Sequence, residues 1–313
     1  MDTLGKEPWS PMPSVMVAHP PEAPALYATA DGSLRTAVFH LMTIPFTIRL
    51  LGSSADALDA SAFEARSMLA DVDRVFSPFR EDSLTSAFNR SDPSGLLGHA
   101  DFYEVFALCS LAEEETSGLF RARRGGAYDP VGVVKGWAVE RVYERVLAPL
   151  LENGRAEAAA VSGGGDLRVG VATGSSFEWG VGVERPGGEG LLATLRLSQG
   201  AVATSGIGRR GAHIDYAHGS ARTPEDDVVQ ATVVADSLVW ADVWATACVS
   251  GGLARSLPSL TCAPEVRSAL LVTRDGLAHR VAAGDELGHA PSSGAPCNAP
   301  SSGAPRNAST LAC

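Results

Sequence analysis

The pattern of apolar and polar positions changes period twice along this chain, and the order of those changes points to a fold class. TAVFHLMTIPFTIRL, residues 36–50, alternates as a strand does and is expected to break at Pro45. Residues 55–76 set Leu58, Ala62, Phe63, Ala65, Leu69, Val72 and Val75 at helical spacing, which predicts an amphipathic helix. Further helices are expected over 100–117 and 133–150, the second after a glycine-rich turn. Short strands separated by glycine follow: AEAAAVSG, GDLRVGVA, FEWGVGVE, LLATLRLS, GAVATSG and GAHIDY. VVQATVVA (228–235) reads as a strand, and the apolar SLVWADVWATACVSGGL (237–253) as a helix. RSALLVT and LAHRVAA flank Asp275-Gly276, a hairpin signal. Helices early and late around a block of strands favour α+β over a doubly wound parallel sheet.

The two ends lack such periods. Residues 1–33 are rich in Pro, Ala and Met and predict a poorly ordered N-terminal arm. A near-repeat, APSSGAPCN from Ala290 and APSSGAPRN from Ala299, has too little apolar surface to offset the entropy of ordering, so 286–313 is expected to be a disordered tail. Residues 34–285 then form a single domain of a size that buries a full core.

Composition mostly excludes. With 25 Lys+Arg against 36 Asp+Glu the net charge is −11, which argues against nucleic acid and gives no support to an anionic membrane surface as partner. No run of apolar residues is long enough to span a bilayer, and no basic-then-apolar leader opens the sequence, so a cytoplasmic protein is expected. Five scattered cysteines without a CxxC pair speak against a zinc site or a disulfide framework. Lysine occurs twice, at Lys6 and Lys135, so Lys135 stands alone in the body of the chain.

Four segments could carry chemistry. In DPVGVVKGWAVE, Asp129 leads a turn into a helix and Lys135 sits one turn along it, which suits anion binding at a helix start. The same residues suit a plainer role, Asp129 as a cap and Lys135 as a solvated side chain. Ser162-Gly163-Gly164-Gly165-Asp166 is a tight hairpin or a place where backbone approaches a ligand. After ATSG, His213 in RGAHID alternates with apolar neighbours and could act as a general base or as a structural histidine. Ser205 has no nucleophile elbow around it. Asp242 and Thr246 in WADVWATA lie at i and i+4, so a carboxylate and a hydroxyl project from one helix face as hard oxygen ligands suited to Mg²⁺. The alternative is an Asp bonded to nearby backbone or to an arginine.

Taken in order, FHLMTIP (39–45), DVDRVFSPFREDSLTSAFN (71–89), DPVGVVKGWAVE (129–140), SGGGDLRV, ATSG, RGAHID and ADVWATA resemble the ApbE family of FAD:protein FMN transferases over roughly 35–283. The resemblance implies a single T-fold-like α+β domain with mixed antiparallel sheets and flanking helices. It implies FAD as substrate and Mg²⁺ as cofactor, with FMN transferred to a threonine or serine hydroxyl of an acceptor flavoprotein and AMP released. By the same resemblance Asp242 and Thr246 would ligate Mg²⁺ together with the backbone carbonyls of Gly132 and Ala245. Met42, Phe79, Asp129, Lys135 and Ile214 would contact FAD, and His213 would take the hydroxyl proton. The chain departs from the family's pattern in having Met42-Thr43-Ile44 for Met-Gly-Thr and Phe79 for the usual Tyr. It also has a short SGLFRARRGGAYD where the family often carries an insert. Two further outcomes stay open: FAD hydrolysis to FMN and AMP at the same site, and a non-catalytic FAD-binding or carrier protein.

Overall fold

The computed structural model describes residues 23–187, 190–207 and 222–282, and the backbone of 308–312. The described residues begin with three strands, β1 (Ala25–Ala28), β2 (Leu34–Leu41) and β3 (Ile44–Leu51), and continue with α1 (Ala55–Phe76), α2 (Leu84–Asn89), α3 (Ser94–Gly98) and α4 (Ala100–Glu115). A two-residue pair, β4 (Arg123–Arg124) and β5 (Ala127–Tyr128), leads into α5 (Val131–Val142), a π-helical turn (Tyr143–Leu147) and α6 (Ala148–Glu152). Then come β6 (Ala158–Gly163), β7 (Asp166–Val171), β8 (Glu178–Glu184), β9 (Leu191–Leu197), β10 (Gly200–Gly206) and β11 (Val228–Ala235). The remaining elements are α7 (Leu238–Gly251), α8 (Leu253–Leu260), β12 (Val266–Thr273), β13 (Ala278–Ala282) and β14 (Ala308–Ala312).

Among the described residues nine strands form one sheet in the order β1-β2-β3-β6-β7-β10-β11-β12-β13, antiparallel at every pairing. A second sheet, β14-β8-β9, joins an antiparallel hairpin to β14, which runs parallel to β8. The architecture is α+β, as expected. Period-two alternation divides the strands between two cores. Ala159 and Val161 of β6, Ala201 and Ala203 of β10 and Val233 of β11 pack with the helices, whereas Ala158, Ala160, Val202 and Val234 pack against Trp179 and Val181 of β8. The large sheet is therefore covered on both faces, by helices on one and by the β8–β9 hairpin on the other.

The expected helix over 55–76 matches α1, whose start is fixed by the Ser54 side chain accepting from Ala57 N. The expected strand at 228–235 is β11. Three expectations need correction. Residues 36–50 break at Met42-Thr43, between β2 and β3, and Pro45 sits inside β3 opposite His40. Pro45 is tolerated near the start of the strand, where its carbonyl accepts from Gly164 N. The helix expected over 133–150 begins at Val131 and widens into the π turn before α6, because Pro149 supplies no N–H for the carbonyl of Arg145. Within the arm and the tail, β1 and β14 form edge strands, where backbone pairing asks for no apolar pattern. No helix among the described residues is long and apolar enough to cross a membrane.

Candidate functional site

The candidate site lies at one end of the large sheet. The β2–β3 turn at Met42-Thr43 and the β6–β7 turn at Gly164-Gly165 are neighbours there, because Phe46 of β3 pairs with Gly163 and Gly164 N donates to Pro45 O. Gly164 (φ 62°) and Gly165 (φ 105°) occupy conformations that favour glycine, so the triple glycine is in part a hairpin device. Met42 (φ 51°) and Thr43 (φ 63°) adopt a similar left-handed turn without glycine, which for the β-branched Thr43 is strained.

Two helices cross over this end. Gly136 of α5 lies so close to α7 that a Cβ would stand 2.9 Å from Leu238 O, and a Cβ on Gly132 would stand 2.9 Å from the Phe120 ring. The glycines of the VGVVKGW segment thus serve close packing. The approach brings Lys135 to α7. Its Nζ forms an ion pair with Asp242 Oδ2 at 3.2 Å and a hydrogen bond and ion pair with Asp166 Oδ2. Asp166 Oδ1 accepts from Thr204 N at 2.8 Å, tying the carboxylate to β10 as well. The solvated-lysine alternative does not hold, since the Lys135 side chain is only 14% exposed. Asp129 does act in part as a cap, its Oδ1 accepting from Val131 N at 3.2 Å.

Thr246 lies one turn beyond Asp242 on α7, and its hydroxyl is 3.1 Å from that of Ser205 on β10. Asp242, Thr246 and Ser205 therefore offer a carboxylate and two hydroxyls beside the Lys135 ammonium. Among the described residues no group of three or more His, Cys, Asp or Glu side chains could hold a metal ion. The donors present are hard oxygens all the same, a set that suits a cation such as Mg²⁺ keeping water or phosphate in its shell. Ala245 is buried on α7 between Asp242 and Thr246, and Gly132 is half-buried in the first turn of α5. Their carbonyls keep a second lone pair beyond the one used in the helix.

The residues expected to contact FAD are distributed as follows. Met42 is half-buried at the β2–β3 turn, packed on the helical core. Phe79, beyond the end of α1, is 82% exposed. Asn89, the last residue of the SLTSAFN segment, holds the strand before Asp129 by donating to Tyr128 O and accepting from Tyr128 N. His213 and Ile214 lie outside the described residues, within 208–221. On either side of that stretch the chain is held near α7 and the sheet end. Ile207 N donates to Val229 O, and Arg222 Nη1 donates to Val249 O at the C-terminal end of α7.

Sequence reasoning gave Asp166 no role, although it is 2% exposed and joins α5 to β10. Glu140 and Arg168 were also passed over. Arg168 Nε donates to Glu140 Oε1 at 2.8 Å, and Leu238 N donates to Glu140 Oε2 at 2.7 Å, so Glu140 caps α7. The signal was present as alternation: Asp166 and Arg168 are i and i+2 on β7. A polar row on a strand usually faces water, whereas here it faces α5.

Residues 121–270 match a model described as the ApbE family. No curated protein matches the sequence as a relative. Among solved structures, an apo form of Pseudomonas stutzeri flavinyl transferase ApbE is similar at 18% identity and a TM-score of 0.61, covering 79% of this chain and 95% of that one. Flavin transferase ApbE from Vibrio cholerae is similar at 18% identity and TM-score 0.59, covering 85% of this chain and 98% of that one. The ApbE protein of Thermotoga maritima gives 19% identity and TM-score 0.59, with 82% and 97% covered. At such identities these likenesses establish a shared fold.

Proposed function

Since residues 121–270 of this chain match the ApbE family model, we propose that it is an FAD:protein FMN transferase. It would transfer FMN from FAD to a threonine or serine hydroxyl of an acceptor flavoprotein. The acceptor oxygen bonds to the phosphorus next to riboflavin, the bond from that phosphorus to the bridging oxygen breaks, and AMP leaves. The observation that carries this reading is the Lys135 ammonium between Asp166 and Asp242, with the Ser205–Thr246 hydroxyl pair alongside. Two carboxylates outnumber the ammonium there, so a pyrophosphate would be held by Lys135 together with a cation on the carboxylate side.

In this reading Asp242 and Thr246 hold Mg²⁺ with the carbonyls of Gly132 and Ala245. When bound, Mg²⁺ would neutralise phosphate charge in a reaction that depends chiefly on positioning and electrostatics. Lys135 binds the pyrophosphate as a point charge. The exposed ring of Phe79 can stack on an FAD ring system, and by the family resemblance Met42, Asp129 and Ile214 would also contact FAD. His213 accepts the hydroxyl proton, because a protein hydroxyl is a weak nucleophile at neutral pH.

Purified protein given FAD, Mg²⁺ and a flavin-accepting protein is expected to yield an FMN adduct that survives denaturation, and His213→Ala to slow its formation while FAD still binds. AMP release without an adduct would replace transfer by FAD hydrolysis. The short β4–β5 hairpin, exposed at Arg123, Arg124 and Ala127, stands where the family often carries an insert and favours that as the second reading. Binding without either product would reduce the protein to a flavin carrier.

A further inference from the structure

Asp166 is the most deeply buried charged group at the site, and both of its oxygens have assigned contacts. Oδ1 accepts from Thr204 N of β10 at 2.8 Å and Oδ2 accepts from Lys135 Nζ. The first contact is to backbone, so it holds the carboxylate in place whatever the lysine does. Oδ1 also fixes the carboxylate plane, which leaves Oδ2 directed at α5. Lys135 has a long, flexible side chain with substantial rotamer freedom to lose on ordering. Its second carboxylate, Asp242, stands 3.2 Å away on α7. An ammonium drawn only to Asp242 would sit on the proposed metal ligand. One held from the β7 side stays beside it.

We propose that Asp166 is a positioning residue for the transfer reaction. Anchored by Thr204 N, it shares the Lys135 ammonium with Asp242, holds it from the β7 side and presents it to the diphosphate of the dinucleotide. The kinetic part rests on the transferase reading; the positional part does not.

The test exploits a peculiarity of composition: Lys6 and Lys135 are the only lysines. Acylation with an N-hydroxysuccinimide ester, read by peptide mass spectrometry, therefore reports Lys135 directly. Burial pushes the thiols of Cys109 and Cys248 up to about 12, so in the folded protein they resist alkylation and serve as an unfolding control in the same digest. Asp166→Asn keeps an oxygen for Thr204 N and removes the charge facing Lys135. Lys135 acylation should rise about tenfold or more, with Cys109 and Cys248 still protected. Asp242→Asn, by contrast, should change it by less than about threefold, because Asp166 still holds the ammonium. In the active protein, Asp166→Asn should raise KM for FAD about tenfold with little change in kcat, the pattern of lost substrate binding. The proposal is overturned if Lys135 stays as unreactive as in the unmodified protein. It is equally overturned if Asp242→Asn frees the lysine more, or if the two cysteines open together with it. Absence of FAD turnover in the unmodified protein would sink the transferase reading instead, and the acylation result would still judge Asp166.

Discussion

Two buried ionic clusters lie side by side between α5 and β7, and they are built for different ends. In one, Glu140 faces Arg168; in the other, Lys135 faces Asp166, so the same helix and the same strand supply both pairs five and two residues apart. The Glu140–Arg168 pair is matched in charge and closed by hydrogen bonds. Arg168 Nη1 donates to Val169 O and Gly200 O, its guanidinium lies 4.3 Å from the Tyr143 ring centroid, and Glu140 caps α7 through Leu238 N. The Lys135 cluster gathers two carboxylates, Asp166 and Asp242, around one ammonium. The first arrangement fixes how α5, α7 and the sheet meet. The second keeps charged groups at the sheet end, where phosphate and a cation would arrive. Burial of charge thus serves geometry in one place and, in the proposed reading, chemistry five residues away.

The comparison breaks most visibly at the structural cluster. Arg168→Met should cost about 3–5 kcal/mol, as expected when one partner of a buried pair is removed. In thermal unfolding that corresponds to a fall in Tm of roughly 10 °C. A fall of only a degree or two would show that the Glu140 carboxylate tolerates isolation and that the pair does not organise the crossing.

Asp242→Asn probes the other side. It leaves Lys135 paired with Asp166 and takes away one of two buried carboxylates, so its Tm should fall by less than half as much as that of Arg168→Met. Mg²⁺-dependent AMP release should nevertheless drop by about 100-fold or more, since a metal ion is worth several kcal/mol of charge stabilisation. Unchanged turnover would remove Asp242 from the metal site. A loss of stability equal to that of Arg168→Met would make both clusters structural.

How much of this could be read from the sequence differs in the same way. The periods of α1 and β11 specify their spans because each has one dominant pattern, and Lys135 and Asp242 stand out as charges in glycine-rich or apolar surroundings. Asp166 and Arg168 do not, because a polar row on a strand carries no mark of whether it meets water or a helix. The covering of both sheet faces is a tertiary fact, set by where α5 and the β8–β9 hairpin pack. The turn at Met42-Thr43 was missed for a local reason: it lacks the Asn or Gly that signals two left-handed residues.

That turn gives a smaller test, beside the charged site yet free of its charges. Thr43, β-branched at φ 63°, carries strain of about 1–3 kcal/mol, part of which Thr43→Gly would exchange for the entropy of a freer unfolded chain. The expected outcome is a rise in Tm of about 2 °C, measured by calorimetry. A fall would mean that the threonine side chain contributes contacts at the site that outweigh the strain.

The smallest effect is expected at a carboxylate outside both clusters. Asp73, in the last turn of α1, is half-buried, and burial raises its pKa against the opposing pull of Arg80. The sign follows from linkage. A folded-state value above the unfolded one favours the fold while the group is protonated, below the unfolded value near 4, and that contribution is lost as pH rises through the raised value. Near neutral pH the ionised Asp73 is therefore a cost, increased by its place at the negative end of a helix. Asp73→Asn should raise Tm at pH 7 by about one degree, with the gain shrinking as the pH falls through the acid range. Among the described residues it has no facing lysine or arginine as close as those of Asp166 and Glu140. A stability loss at pH 7 would show that Arg80 supplies a pairing comparable to theirs, and that the two clusters differ less from an ordinary helix-end carboxylate than their geometry indicates.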